Sequence, residues 1–214
     1  MMEASGARQP TRSMSAQAAV AAARVARRRK AQPNGIWGMA LFLCSEITLF
    51  GTLLATYFYL DFDAHQWPPA GIKPPGTLWP SVATAWLVLA TIPLWLASRA
   101  ARAGRRGLTL WSITLGLAMQ TCYLAAQIIL FRHDLLDFSP QKTAYGSIYF
   151  TMLAAHHAHV ALGLALDLAV IGFVMLRGLN NYWLVGVRAL AIFWYVVAFL
   201  AVPVLLTQLT PSLT

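Results

Sequence analysis

Charge is what this chain has least of. Only 11% of its 214 residues are charged, against about 25% in an ordinary soluble domain. Meanwhile 58% are hydrophobic and the mean hydropathy is +0.59. That shortfall excludes a soluble globular fold. Acidic residues are the scarcest of all: 7, against 16 lysines and arginines, for a net charge of +9. In a soluble protein such a surplus would point to nucleic acid, but here the basic residues flank apolar runs and report topology instead. Cysteine is nearly absent too. Cys44 and Cys122 both fall inside apolar runs, with no CxxC pair, no CxxCH haem-attachment motif and no extramembrane disulfide framework. They are expected to be small, buried packing residues. Residues 1–34 hold no apolar stretch and no small-residue cleavage pattern, which argues against a secretory signal. No internal repeat and no soluble domain is visible.

What is present is apolar length. Five runs cover 36–60, 80–98, 109–131, 145–176 and 186–208, each near or above the length that crosses a bilayer. They predict an all-α bundle of five transmembrane helices over 35–214, preceded by a basic, disordered arm over 1–34. The second run is the shortest and carries Pro93, which predicts a kink; the fourth exceeds the bilayer thickness and should tilt or project. The arm and the residues Arg99, Arg102, Arg105, Arg106, Arg177 and Arg188 fall on one side. Only Lys73, Arg132 and Lys142 fall on the other. By the positive-inside rule the chain is N-in, C-out. An outer loop running from Trp67-Pro68-Pro69 to Trp79-Pro80 is expected to be rigid and extended, with Trp67 and Trp79 as aromatic anchors. A second polar loop is expected over 132–143. A bacterial inner membrane fits this pattern; the Arg-rich start also fits an organellar transit peptide, the alternative being the mitochondrial inner membrane.

A few polar residues break the apolar runs. Glu46 sits near the middle of the first, where a carboxylate must be neutral, paired or facing protein. The fourth run carries His156-His157-Ala158-His159. His156 and His159 share a helical face, and His157 points about 100° away from His156. Three histidines on one helix invite a metal reading. The only other histidines, His65 and His133, lie in expected loops, so hydrogen bonding between helices is the simpler reading. Asp167 lies two turns beyond His159, and Ala161, Ala165 and Ala169 recur at the spacing of close helix approach. Glu46, His156, His159 and Asp167 are the candidate proton-linked or buried polar network. They could also be the relay of a small proton-coupled transporter, although such a transporter should show inverted repeats or broken helices. A third reading, an intramembrane hydrolase using Glu46 with a histidine, would need a water-filled pocket.

Ordered motifs narrow the choice. Trp37-Gly38-Met39, Ser45-Glu46, Trp67-Pro68-Pro69-Ala70-Gly71-Ile72-Lys73-Pro74, Tyr145-Gly146-Ser147 and His156-His157-Ala158-His159-Val160 follow one another along the chain. The set resembles subunit III of the haem-copper oxidases, the cytochrome c and quinol oxidases, in its five-span form. That resemblance implies no redox cofactor and no metal in this chain. It implies haem and copper in a partner subunit I, contact with subunits I and II, bound phospholipid, and a supporting role in proton uptake while oxygen is reduced. It also makes Glu46 the family's intramembrane glutamate, with Trp37, Trp67, Trp79 and Tyr145 as lipid or interface residues. Subunit-III-like proteins also accompany nitric oxide reductases. The chain departs from the family in its last span, where a Trp-His-Phe-Val-Asp pattern is usual but the region reads Ala191-Ile192-Phe193-Trp194-Tyr195-Val196-Val197-Ala198, without the histidine and the aspartate. It departs again in the third span, where Gln127 is the polar residue nearest to a glutamate found in many members.

Overall fold

The apolar runs become helices because membrane-spanning backbone must satisfy its own hydrogen bonds. The computed structural model describes residues 34–73, 75–179 and 181–210, with only the backbone of Asn181 and Tyr182. The expected arm over 1–34 thus lies almost wholly outside the described residues. Six helices follow: α1 (Asn34–Asp63), α2 (Leu78–Leu89), α3 (Thr91–Arg102), α4 (Arg106–Asp137), α5 (Ala144–Arg177) and α6 (Asn181–Leu209). Since α2 and α3 are the two halves of one span, the described residues hold five helices long and apolar enough to cross a membrane. The protein is an all-α, multi-pass membrane protein.

Pro93 explains the break in the second span. Its ring cannot coexist with the carbonyl four residues earlier, and it has no N–H to give it. The helix therefore stops at Leu89 and restarts at Thr91. The Ala90 amide still bonds the Trp86 carbonyl at 3.0 Å, and the Thr91 hydroxyl takes up the Val88 carbonyl at 2.6 Å. The 34 residues of α5 span about 51 Å at 1.5 Å each, well beyond a hydrocarbon core of about 30 Å.

One loop differs from expectation. Arg132–Asp137 continue α4 instead of forming a polar loop. Nothing in that segment breaks a helix before Pro140, and the Tyr149 hydroxyl holds Asp134 at 2.6 Å. The remaining connection turns at once into α5, whose first turn is capped by the Thr143 hydroxyl accepting from the Gly146 amide at 3.1 Å. A side chain at Gly146 would stand 2.6 Å from the Ser139 carbonyl.

α6 is the axis of the bundle. It packs against α1, α2, α3 and α5, while α4 sits across from it behind α5 and the α2–α3 span. In α6, 56% of the most apolar stretch is buried inside the chain, against 11% in α1. α1 therefore turns most of its surface outward, to lipid or to another subunit. Around α6 the core is built on Leu190, Phe193, Trp194 and Val197 with Leu87, Leu94, Ile113 and Val160. A second, aromatic core lies towards the end where α5 begins, with Phe50, Tyr57, Phe138, Tyr145 and Tyr149.

Several expectations are corrected by these faces. Trp67 is folded inward, its ring edge-on to Tyr57 at 5.5 Å and to Tyr145 at 5.1 Å, and Tyr145 is fully buried. Large flat rings that can pack on one another bury more area there than at an interface. Trp37 and Trp79 do face outward. Cys44 and Cys122 are exposed, not buried, as an apolar thiol can be on a membrane-facing surface. Ala161, Ala165 and Ala169 also face outward, away from the buried seams of the bundle.

Candidate functional site

Three polar constellations sit along α5, each tying it to a different neighbour. The first joins α1 to α5. Glu46 and His159 meet at 2.6 Å between Oε2 and Nε2, with the two side chains only 14% and 16% exposed for His159 and Glu46 respectively. The other ring nitrogen of His159 lies 2.7 Å from the Ala155 carbonyl. A carbonyl can only accept, so Nδ1 must carry a proton. Nε2 then either accepts a proton from a neutral Glu46 carboxyl or, as part of an imidazolium, donates to a carboxylate. One proton lies between the two groups in either case, and the pair is neutral overall. This is how a carboxyl is accommodated at membrane depth. Phe50 packs edge-on to the His159 ring at 5.3 Å and shields the pair from the bundle interior.

The second constellation joins α5 to α4. The His156 Nε2 lies 3.1 Å from the Tyr123 hydroxyl, which in turn accepts from the Gln127 amide at 3.2 Å. His157 points elsewhere, its ring edge against Phe131 at 5.5 Å. His156 and His159 therefore share a helical face and yet bond opposite neighbours, with Phe50 between them at 6.3 and 5.3 Å. Among the described residues, no three or more His, Cys, Asp or Glu side chains gather as a metal site.

The third constellation binds α4, α5 and α6 together. Trp194 Nε1 donates to both Asp167 oxygens, at 3.3 and 3.2 Å. With its amide oriented to satisfy its neighbours, Gln120 donates to Asp167 Oδ2 at 2.8 Å and to the Gly116 carbonyl at 3.0 Å. All three side chains are essentially inaccessible. The indole reaches Asp167 only because Gly163 leaves room, since a side chain there would run into the Trp194 ring and stand 2.8 Å from Phe193. Glu46, His156, His159 and Asp167 are thus not one network but three separate clamps.

Sequence reasoning missed Gln120, Tyr123 and Trp194. A signal existed for two of them. Gly116, Gln120, Tyr123 and Gln127 recur at the spacing of one helix face, and all four are buried. Only Trp194 carried no such mark.

Comparison with known proteins decides what kind of bundle this is. The family model described as cytochrome c oxidase subunit III matches residues 14–207. The chain belongs to the cytochrome c oxidase subunit III family. It is 26% identical over 165 residues to cytochrome bo(3) ubiquinol oxidase subunit 3 of Pseudomonas aeruginosa, covering 76% of this chain and 78% of that one. It is 27% identical over 165 residues to a probable quinol oxidase subunit 3 of Staphylococcus haemolyticus, covering 75% of this chain and 79% of that one. With cytochrome c oxidase subunit 3 of Coturnix japonica it shares 27% identity over 168 residues, covering 75% of this chain but 63% of the longer avian one. As a subunit III it is an accessory subunit of the haem-copper oxidases. Within it, Trp194 of the last span is the residue that ties α6 to Asp167 of α5.

Proposed function

We propose that this subunit III serves a terminal oxidase of a bacterial inner membrane, N-in and C-out, packing on a haem- and copper-bearing subunit I beside subunit II. It would stabilise subunit I and support sustained proton uptake during oxygen reduction. The observation that carries the reading is the family match, which runs through all five spans. The distribution of arginines supports the orientation, because Arg99, Arg102, Arg105 and Arg106 border the short turn between α3 and α4, with Arg177 at the same end by helix alternation. Arg106 fastens that end, donating to the Met175 carbonyl at 2.7 Å. The outward face of α1 supplies a surface for another subunit.

For lipid, the support is a groove between α2 and α4. It measures about 480 Å³ and is lined by Trp79, Val82, Trp86, Cys122, Ala126 and Ile129. All six are apolar enough for an acyl chain, and the Trp86 N–H is already bonded to the Met119 carbonyl at 2.9 Å.

The test is affinity purification of the chain from its native membrane in mild detergent, followed by a reduced-minus-oxidised spectrum. A haem signal with a large co-purifying subunit is expected. A colourless chain that also stays alone after cross-linking in the membrane would end the oxidase reading.

In this role the Glu46–His159 pair can pass its shared proton from one partner to the other without a change in the pair's net charge. Glu46→Gln keeps an amide N–H for the His159 nitrogen, so the complex should assemble with a loss under about 1 kcal/mol. Glu46→Ala orphans the ring and should cost about 1–3 kcal/mol, read as a lower midpoint of thermal dissociation. Equal effects of the two would refute the pairing. Among the histidines, His157→Ala should be the mildest of the three alanine substitutions, since His157 packs its ring on Phe131 and clamps no second helix by a hydrogen bond among the described residues; subunit III content per haem in the purified complex would rank them.

A further inference from the structure

The clamp between α5 and α4 leaves a loose end. Gln127 donates to the Tyr123 oxygen, so the single hydroxyl proton of Tyr123 is free to go to His156 Nε2, 3.1 Å away. A neutral imidazole that accepts at Nε2 carries its hydrogen on Nδ1. That Nδ1 is buried and has no hydrogen-bond partner among the described residues. On α6, the side-chain oxygen of Gln208 is buried and likewise has none. One is a donor and the other an acceptor, and both residues line the same small cavity between α2, α4, α5 and α6.

We propose that this cavity is a binding site for a single water molecule, held between the His156 Nδ1–H and the Gln208 side-chain oxygen. The chemistry fits in number and sign. Water accepts from the imidazole and donates to the amide oxygen, and its second hydrogen faces the remaining polar lining, which includes Thr84 and His157. The size fits as well, because the free space is about 10 Å³, and about 10–15 Å³ admits one water but nothing larger. Left dry, the same cavity would hold two unpaired polar groups away from solvent, each costing about 1–3 kcal/mol. His159 marks the contrast. Its Nδ1 reaches the carbonyl one turn back, whereas the same atom of His156 makes no such bond and is left for a ligand.

The test is radiolytic footprinting of the full chain in its native membranes, in which hydroxyl radicals are made from the waters that touch a side chain. Labelling of His156 and Tyr123 is expected several-fold above that of Phe193, which is equally buried but lies in the dry core, with exposed His133 as the positive control. Gln208→Met, matched in size, should bring His156 down to the Phe193 level, whereas Gln208→Glu keeps an acceptor and should retain the labelling. Phe193 staying at background in each variant shows that the bundle is intact. The site is overturned if wild-type His156 labels no more than Phe193, or if Gln208→Met in an intact bundle leaves its labelling unchanged.

Discussion

Asp167→Ala should lower the stability of the bundle by about 2–4 kcal/mol, the largest effect expected from any polar substitution in this chain. Two buried donors, Trp194 Nε1 and the Gln120 amide, lose their acceptor together, at about 1–3 kcal/mol each. The lower half of the combined range is the better guide, because helices separated within lipid also find partners for such groups. Asp167→Asn should recover most of the loss. Its carbonyl oxygen still accepts from the indole, and its amide can donate to Gln120 once that side chain turns over. Thermal unfolding of the purified subunit, followed by thiol accessibility, would read both. Asparagine as damaging as alanine would mean that the charge, and not the hydrogen bonds, is what the three helices need.

Gly163→Leu should be nearly as harmful, by overcrowding instead of by loss. The glycine lies under the Trp194 indole and beside Phe193, with no space for even a methyl group. Overpacking costs about 1–3 kcal/mol; here the ring that must move is also the Asp167 donor, so the hydrogen bonds would go with it. Gly163→Ala should fall between wild type and leucine. Pairing Gly163→Ala with Trp194→Phe, which removes the N–H and trims the ring, should give less than the sum of the two separate losses. Simple additivity would show that Trp194 does not transmit the strain.

How far the sequence reaches can be judged on these same residues. All five spans were legible from apolar length, and Pro93 located the interruption of the second. The motifs around Glu46 and His156–His159 identified the family. Asp167 and Glu46 stood out because a carboxyl in an apolar run is costly wherever it faces. What could not be read was who meets whom. His156 and His159 share a helix face, yet α4 takes one and α1 the other, and nothing in a single sequence states that α1 lies beside α5. Trp194 looked like one more aromatic residue in an apolar helix. The inward turn of Trp67 and Tyr145 was equally hidden, because membrane-interface tryptophans and packed ones occupy the same kind of loop–helix boundary.

The central place of α6 bears on how the chain is made. Of the six helices it is the last to leave the ribosome, yet α1, α2, α3 and α5 all pack on it. Until it is inserted, the seams meant for it stand open to lipid, and Asp167 has no indole to bind. The earlier spans must therefore wait in the membrane as a loose set before they close around the newcomer. A chain halted before residue 181 would be a natural substrate for membrane quality control.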